Sequence, residues 1–271
     1  MLKHVLRFLE PKSKVSAIGP CVCLSVSKQN ISRTCIYELS DVLRSHVQLQ
    51  SDGCNFCRNV DSVPKVSNIS PDEFENNYAY DGVPVVITDA MKNWTAQKVF
   101  DYHFFKDLYA ESDLDASQCQ FLPYKSGFAD MYDFLSMEPK RANLEEGSKP
   151  WYVGWNNCDE NATKSLRTLY SRPYFLPVTS ESKTSDWIFM GSPGYGAQMH
   201  VDHVHFPSWQ AQLRGSKLWT LLPPPECTSV CKKLQVLVES GEIIVLDTNK
   251  WFHETKIVGD QISITIGAEY D

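Results

Sequence analysis

No apolar run in this 271-residue chain approaches the roughly 18 residues that a membrane-crossing helix needs, so a span is not expected. Positive charge is also in short supply: 26 Lys and Arg stand against 33 Asp and Glu, a net charge of −7. That balance argues against tight nucleic-acid binding, which needs a basic footprint, and is compatible with a protein partner bearing Lys or Arg. The first 26 residues contain Lys and Arg but no continuous apolar segment beyond Pro20-Cys21-Val22-Cys23-Leu24, so no signal peptide is read there. Internal repeats and low-complexity tracts are missing too.

Cys54-Asn55-Phe56-Cys57 has no second CxxC to complete it, so a zinc ribbon is poorly supported. The expectation is a local disulfide or two unrelated thiols, with Cys227 and Cys231 close enough for another local bridge. Nine cysteines are many for a reducing compartment, yet the number is odd. Sequons stand at Asn30, Asn68, Asn93 and Asn161. Together with the cysteines they lean towards a lumenal or secreted setting, while the missing signal segment leans towards cytoplasm or nucleus. A gene model truncated at its start would reconcile the two, and the compartment stays open.

What the chain does have is material for a core: 42% hydrophobic residues and 12% aromatics, enough for one large domain or two small ones. Residues 1–65 lack sustained periodicity apart from a short helical stretch around Ile36 to Val47, and are read as an extension. Ser70-Pro71-Asp72-Glu73 is a helix start, with an N-capping Ser, Pro in the first turn and acids beside it. Val83 to Thr88 is a β-branched run that predicts a buried strand. Helical stretches follow over Thr95 to Tyr109 and Phe128 to Met137, then a strand at Trp151 to Trp155 and a helix or loop from Asn157 to Tyr170. From Asp186 onward short β-type runs recur: 187–190, 198–202, 209–213, 218–222, 234–238, 243–246, 251–253 and 262–266. Many short strands at close spacing predict a sandwich or barrel. The expected division is an extension over 1–65 and a domain over 66–271, with a helical buttress over 66–180 and a barrel core over 181–271.

On an extended strand, side chains two apart share a face. His200 and Asp202 then project together, giving an imidazole and a carboxylate. That is two thirds of a 2-His-1-carboxylate triad, a set that suits non-haem Fe(II) because one side of the octahedron stays open. Trp251-Phe252-His253 offers a third ligand. The plain alternative is surface polarity at His200 and Asp202 and an aromatic-cluster histidine at 253. Lys217 sits in an otherwise apolar strand; if it points inward it needs an anion, since an unpaired buried ammonium is costly. If it points outward it is merely solvated, and alternation alone does not decide. His203 and His205 would face away from His200 and Asp202, and are ranked second, lining the mouth of the site.

His200-Val201-Asp202, the run from Gly215-Ser216-Lys217 to Leu221-Leu222-Pro223-Pro224, Gly241-Glu242-Ile243-Ile244 and Trp251-Phe252-His253 together resemble the JmjC (cupin-8) family. The likeness extends from about Ser70 onward, with Val83-Pro84-Val85-Val86-Ile87 resembling an early strand of the family. It is nearest to the small JmjC-only protein hydroxylases of the factor-inhibiting-HIF-like kind. The resemblance implies a mainly β fold with flanking helices, a double-stranded β-helix of the cupin or jelly-roll type. It implies Fe(II) held by His200, Asp202 and His253, with 2-oxoglutarate and O2 as co-substrates. The distal carboxylate of 2-oxoglutarate would meet Lys217 and Tyr152. It implies a dioxygenase acting on a protein or peptide. Hydroxylation of a side chain is the first reading and N-methyl demethylation the second. A non-catalytic binding or scaffold cupin and a zinc-bound isomerase-type cupin are the competing classes. Departures are Ala197 where many members carry Thr or Ser, Gly267 where some carry Asn, and a last strand followed by no helical dimerisation tail.

Overall fold

The computed structural model describes residues 53–110, 119–181 and 186–271, together with two short strands at 22–23 and 35–36. The chain forms two compact units, Met1–Leu49 and Gln50–Asp271. In the first, β1 (Val22–Cys23) pairs antiparallel with β2 (Cys35–Ile36). The helix expected over 36–47 lies outside the described residues apart from Ile36. The boundary expected at residue 65 falls inside the second unit.

The second unit is built from β3 (Lys65–Val66), β4 (Val85–Ile87), β5 (Phe121–Leu122), β6 (Tyr152–Asn156), β7 (Trp187–Gly191) and β8 (Ser208–Arg214). It continues through β9 (Ser216–Leu222), β10 (Leu234–Val238), β11 (Ile243–Leu246), β12 (Phe252–Val258) and β13 (Ser263–Glu269). One sheet runs β3-β4-β11-β8-β13-β7-β6-β5 and the other β10-β9-β12. From β7 onward the chain passes repeatedly between the sheets, which is the winding of a double-stranded β-helix. The expected cupin-type barrel is the fold observed. Strands β4 to β6 come from the region expected to be a helical buttress, with β3 at its edge, and all four extend the larger sheet.

Burial follows each strand's place. β10 alternates buried and exposed because one face meets water, whereas β11 is buried throughout under neighbours on both faces. The larger core gathers Phe74, Phe105, Trp151, Trp155 and Trp209; the smaller gathers Phe56, Trp219, Leu221, Ile244 and Trp251. Between them Tyr152, Ala197 and Ile257 form a third cluster with Tyr124 and Phe189.

The helices pack outside. In α1 (Pro71–Phe74), Ser70 Oγ accepts from the Glu73 N–H at 3.1 Å, the cap read from sequence, and a π-turn over Glu75–Ala79 follows. The single helix expected over 95–109 is two, α2 (Ala96–Val99) and α3 (Tyr102–Ala110). Phe100 is extended between them and fully buried, its ring stacked on Phe104 at 4.8 Å, and Asp101 Oδ1 accepts from the Phe104 N–H at 2.8 Å. A buried ring and a capping carboxylate outweigh helical continuity there. Then come α4 (Met131–Leu135), α5 (Pro139–Ala142) and α6 (Glu160–Arg167), the fourth and sixth capped by Asp130 and Asp159.

The cysteines overturn the local pairing expected of them. Cys54 bonds Cys227 and Cys57 bonds Cys231, over separations of 173 and 174 residues, and Cys119 bonds Cys158. The reason is local. Cys57 N–H donates to Cys54 O, and Cys231 N–H to Cys227 O, so each pair lies on one side of a tight turn. Two such turns laid against each other cross-link more readily than either does within itself. The bonds fasten residues 53–60 to the smaller core, where Phe56 meets Trp251 edge-on at 5.2 Å.

Gly267 accounts for one departure from the family pattern. A Cβ there would stand 2.4 Å from Trp209 O on β8, which no rotamer relieves. Gly267→Ala should therefore lower stability by roughly 1–3 kcal/mol, read by thermal or urea denaturation; an unchanged midpoint would show that β8 and β13 can part without cost.

Candidate active site

The residues from Gly194 to Asp202 run beside β12 but do not form the regular strand expected over 198–202. Contact is made by one antiparallel bridge, His200 to His253, with backbone bonds of 3.0 and 2.7 Å. Flanking bonds run from Thr255 N–H to Ala197 O and from Ile257 N–H to Tyr195 O. Gly196 is why the segment comes so near: a Cβ on it would fall 1.9 Å from Thr255 O.

The bridge brings three side chains together. His200 Nε2 is 3.3 Å from Asp202 Oδ1, and His253 Nε2 is 3.8 Å from Asp202 Oδ2. The three ligand atoms lie within 4.8 Å of one another. Each imidazole is oriented through its other nitrogen, His200 Nδ1 to Gln198 O at 2.6 Å and His253 Nδ1 to Trp251 O at 3.0 Å. A carbonyl only accepts, so Nδ1 carries the proton and Nε2 is directed at the shared point. Trp219 stacks on His253 at 5.9 Å.

The hydrogen bond to Asp202 raises the pKa of His200, while burial, aided by the charge of His200, lowers that of His253. Burial disfavours ionised Asp202, but the bond from His200 and the charge of His253 outweigh it and hold the carboxyl low. Two nitrogens and a carboxylate at one point, with both outer nitrogens already engaged, make a donor set that fits a divalent transition metal.

These residues floor a cavity of about 340 Å³ whose walls include Tyr124, Tyr152, Trp187, Phe189 and Trp219. His203, exposed, lies on its lining and outside the three-residue cluster, and His205 is not on that lining.

Lys217 points inward. It is wholly buried, and Nζ donates to Thr265 Oγ1 at 2.6 Å and Tyr152 OH at 3.1 Å. It also lies over the rings of Tyr152 and Phe189, at 5.2 and 5.5 Å. Among the described residues no carboxylate pairs with it, and burial brings its pKa down to about 7. Tyr152 is fully buried as well, and burial raises its pKa, so its phenol stays protonated and able to donate.

Sequence reading missed the residues that hold this lysine. Thr265 Oγ1 donates to Gln212 Oε1 at 3.0 Å, and Gln212 Nε2 donates to Arg214 O at 2.6 Å and Ser263 Oγ at 2.8 Å. Because Arg214 O only accepts, the orientation of the Gln212 amide is fixed, and Thr265 presents its lone pairs to Lys217. Thr255 Oγ1, which accepts from the Ala197 N–H at 3.0 Å, supplies a hydroxyl to the cavity wall beside Ala197. Alternation along β12 and β13 was the one available signal: Thr255 is two residues beyond His253, and Thr265 two beyond Ser263.

Residues 71–235 match the family described as Cupin-like domain, and the chain belongs to it. It is 24% identical over 178 residues to the bifunctional arginine demethylase and lysyl-hydroxylase psr-1 of Caenorhabditis elegans, covering 60% of this chain and 42% of that protein. It is 23% identical over 253 residues to the arginine-specific demethylase JMJ20 of Arabidopsis thaliana, covering 72% and 54%. A third relative is the 2-oxoglutarate and iron-dependent oxygenase JMJD4 of Danio rerio, 23% identical over 146 residues, covering 43% and 34%. The chain spans about half the length, or less, of these relatives. His253 lies beyond the family match, and its meeting with His200 and Asp202 is known from the fold alone.

The buried lysine gives a pH test. An unfolded lysine titrates near 10.5 and the buried one near 7. Between those values the unfolded chain holds a proton that the folded chain has shed, so the penalty is full below about pH 7 and fades towards 10.5. Lys217→Met should accordingly stabilise the unliganded protein most at about pH 6 and progressively less as pH rises, measured by urea denaturation across the range. A pH-independent difference between the two proteins would mean that Lys217 does not titrate there.

Proposed function

We propose that this chain is an Fe(II)- and 2-oxoglutarate-dependent dioxygenase that hydroxylates a side chain of a protein substrate. The observation that carries the reading is the convergence of His200, Asp202 and His253 on one point of a cavity whose wall includes Tyr152, the phenol to which the buried Lys217 donates. His200, Asp202 and His253 would hold the iron. Bound iron, with 2-oxoglutarate and O2, supplies an oxidant strong enough to break a C–H bond, one oxygen atom going to the substrate and the other to succinate, with release of CO2.

The protein's own part is orientation and exclusion. Gln198 O and Trp251 O fix the two imidazoles. Lys217 and the Tyr152 phenol would take the distal carboxylate of 2-oxoglutarate, giving the ammonium the anion it lacks, while Thr265 and Gln212 keep Nζ in place. Trp187, Phe189 and Trp219 line the cavity with aromatic surface that limits water. Glu269 is on the lining too, and its carboxylate accepts from the His205 and Phe206 N–H groups. An acidic protein of net charge −7 suits a basic segment of the substrate.

Demethylation of an N-methyl group is the second reading, favoured by the names of psr-1 and JMJ20. The same oxidant serves, and the hydroxylated methyl carbon leaves as formaldehyde.

Anaerobic purification, metal identification and an assay of uncoupled 2-oxoglutarate decarboxylation test the proposal. Fe(II)-dependent succinate formation is expected in the parent protein. It should be lost in His200→Ala and Asp202→Ala, with the melting temperature near that of the parent. Thr265→Val should raise the 2-oxoglutarate requirement while metal binding is kept. Zinc as the resident metal with no 2-oxoglutarate turnover, or turnover unaltered in the triad variants, would overturn the dioxygenase reading. Formaldehyde release from a methylated peptide would select the second reading over the first.

A further inference from the structure

The three disulfides and the described sequons do not enter the chemistry of the cavity, yet they point the same way. All six cysteines at 54, 57, 119, 158, 227 and 231 are paired, two of the bonds joining segments more than 170 residues apart. Such bonds persist where thiols are oxidised and are rare in cytosol. Cys54, Cys57 and Cys227 are nearly inaccessible, so these bonds are part of the smaller core and not surface accidents.

Asn68, Asn93 and Asn161 are all exposed. Asn68 lies at a bend with φ 56°, Asn93 in a turn before α2, and Asn161 in the first turn of α6. The hydroxyl residue of each sequon is Ser70, Thr95 or Thr163, none of them buried. None of the three asparagines lines the cavity, so a bulky group on any of them leaves the site open. The fourth sequon, Asn30, lies outside the described residues.

We infer that this protein matures in an oxidising, glycan-transferring compartment, and that Asn68, Asn93 and Asn161 are N-glycosylation sites. In the transfer, the side-chain amide nitrogen bonds to the anomeric carbon of a lipid-diphosphate-linked oligosaccharide. The bond from that carbon to the diphosphate oxygen breaks, the lipid diphosphate leaves with the electron pair, and the amide loses one proton. In the oxidation, each pair of thiols gives two electrons and two protons to a disulfide-bearing oxidoreductase, which is reduced to its dithiol.

The test uses the endogenous full-length protein, recovered from its own cells with thiols blocked at lysis. Glycosidase treatment in heavy-oxygen water should convert residues 68, 93 and 161 to labelled aspartate, and the six cysteines should resist alkylation until a reductant is added. In the protein re-expressed in those cells, Asn68→Asp, Asn93→Gln and Asn161→Gln should each remove one step of the glycosidase-sensitive mobility shift. Aspartate tolerates the left-handed backbone at 68. Three unmodified asparagines would overturn the inference. So would a Cys54, Cys57, Cys227 and Cys231 set recovered as free thiols, or holding one zinc ion in place of the two bonds. A single asparagine found bare would remove that site alone.

Discussion

The candidate site rests on a pair of backbone hydrogen bonds between His200 and His253. They join residues far apart in sequence and form the antiparallel bridge between the ligand-bearing segment and β12, flanked by the bonds from Thr255 to Ala197 and from Ile257 to Tyr195. Gly196 allows the approach, the carbonyls of Gln198 and Trp251 set the ring orientations, and Trp219 stacks on His253. Asp202 is then held at the crossing because its own N–H donates to Thr248 O at 3.0 Å. The three side chains are fixed largely by main-chain contacts.

Lys217 adds the second constraint. Placing an ammonium in the interior with two hydroxyls and two aromatic rings around it costs stability, since neutral acceptors do not replace lost hydration. The chain carries that cost and spends further residues, Thr265, Gln212 and Ser263, on holding the lysine still. A buried lysine without a carboxylate partner among the described residues, bonded to a tyrosine of the cavity wall, is the feature on which the proposed co-substrate site rests.

Much of this was legible in the sequence, because β-branched and aromatic runs bounded by turns leave little choice: β10 and β11 fall on the residues expected, and β4, β6 and β7 within a few. His200 and Asp202 were legible from strand alternation, with His253 offered as a third ligand, Lys217 from its apolar surroundings, and Tyr152 only through the family resemblance. Elsewhere the deciding forces were not local. The strand expected over 198–202 is held mostly by its partner's geometry and by a missing side chain at 196. Phe100 breaks a helix in order to bury its ring. Thr255 and Thr265 carry ordinary strand residues' signals and acquire meaning only when the sheets close on Tyr152 and Lys217. For the cysteines the sequence left a local disulfide or two unrelated thiols open, whereas each tight turn is bonded across to the other within the smaller core.

The doubled cross-link between residues 54–57 and 227–231 has a thermodynamic asymmetry built into it. The first bond to form closes a loop of 173 or 174 residues, a span for which loop-closure entropy is worth on the order of 5 kcal/mol. The second then closes only the short ring between two adjacent anchors and adds little. Its value is kinetic. When one bond is reduced, its sulfurs stay tethered at near-bonding range, and reclosure outruns diffusion. The arrangement behaves like a rope with a backup knot, tolerating loss of either tie without letting go of the domain.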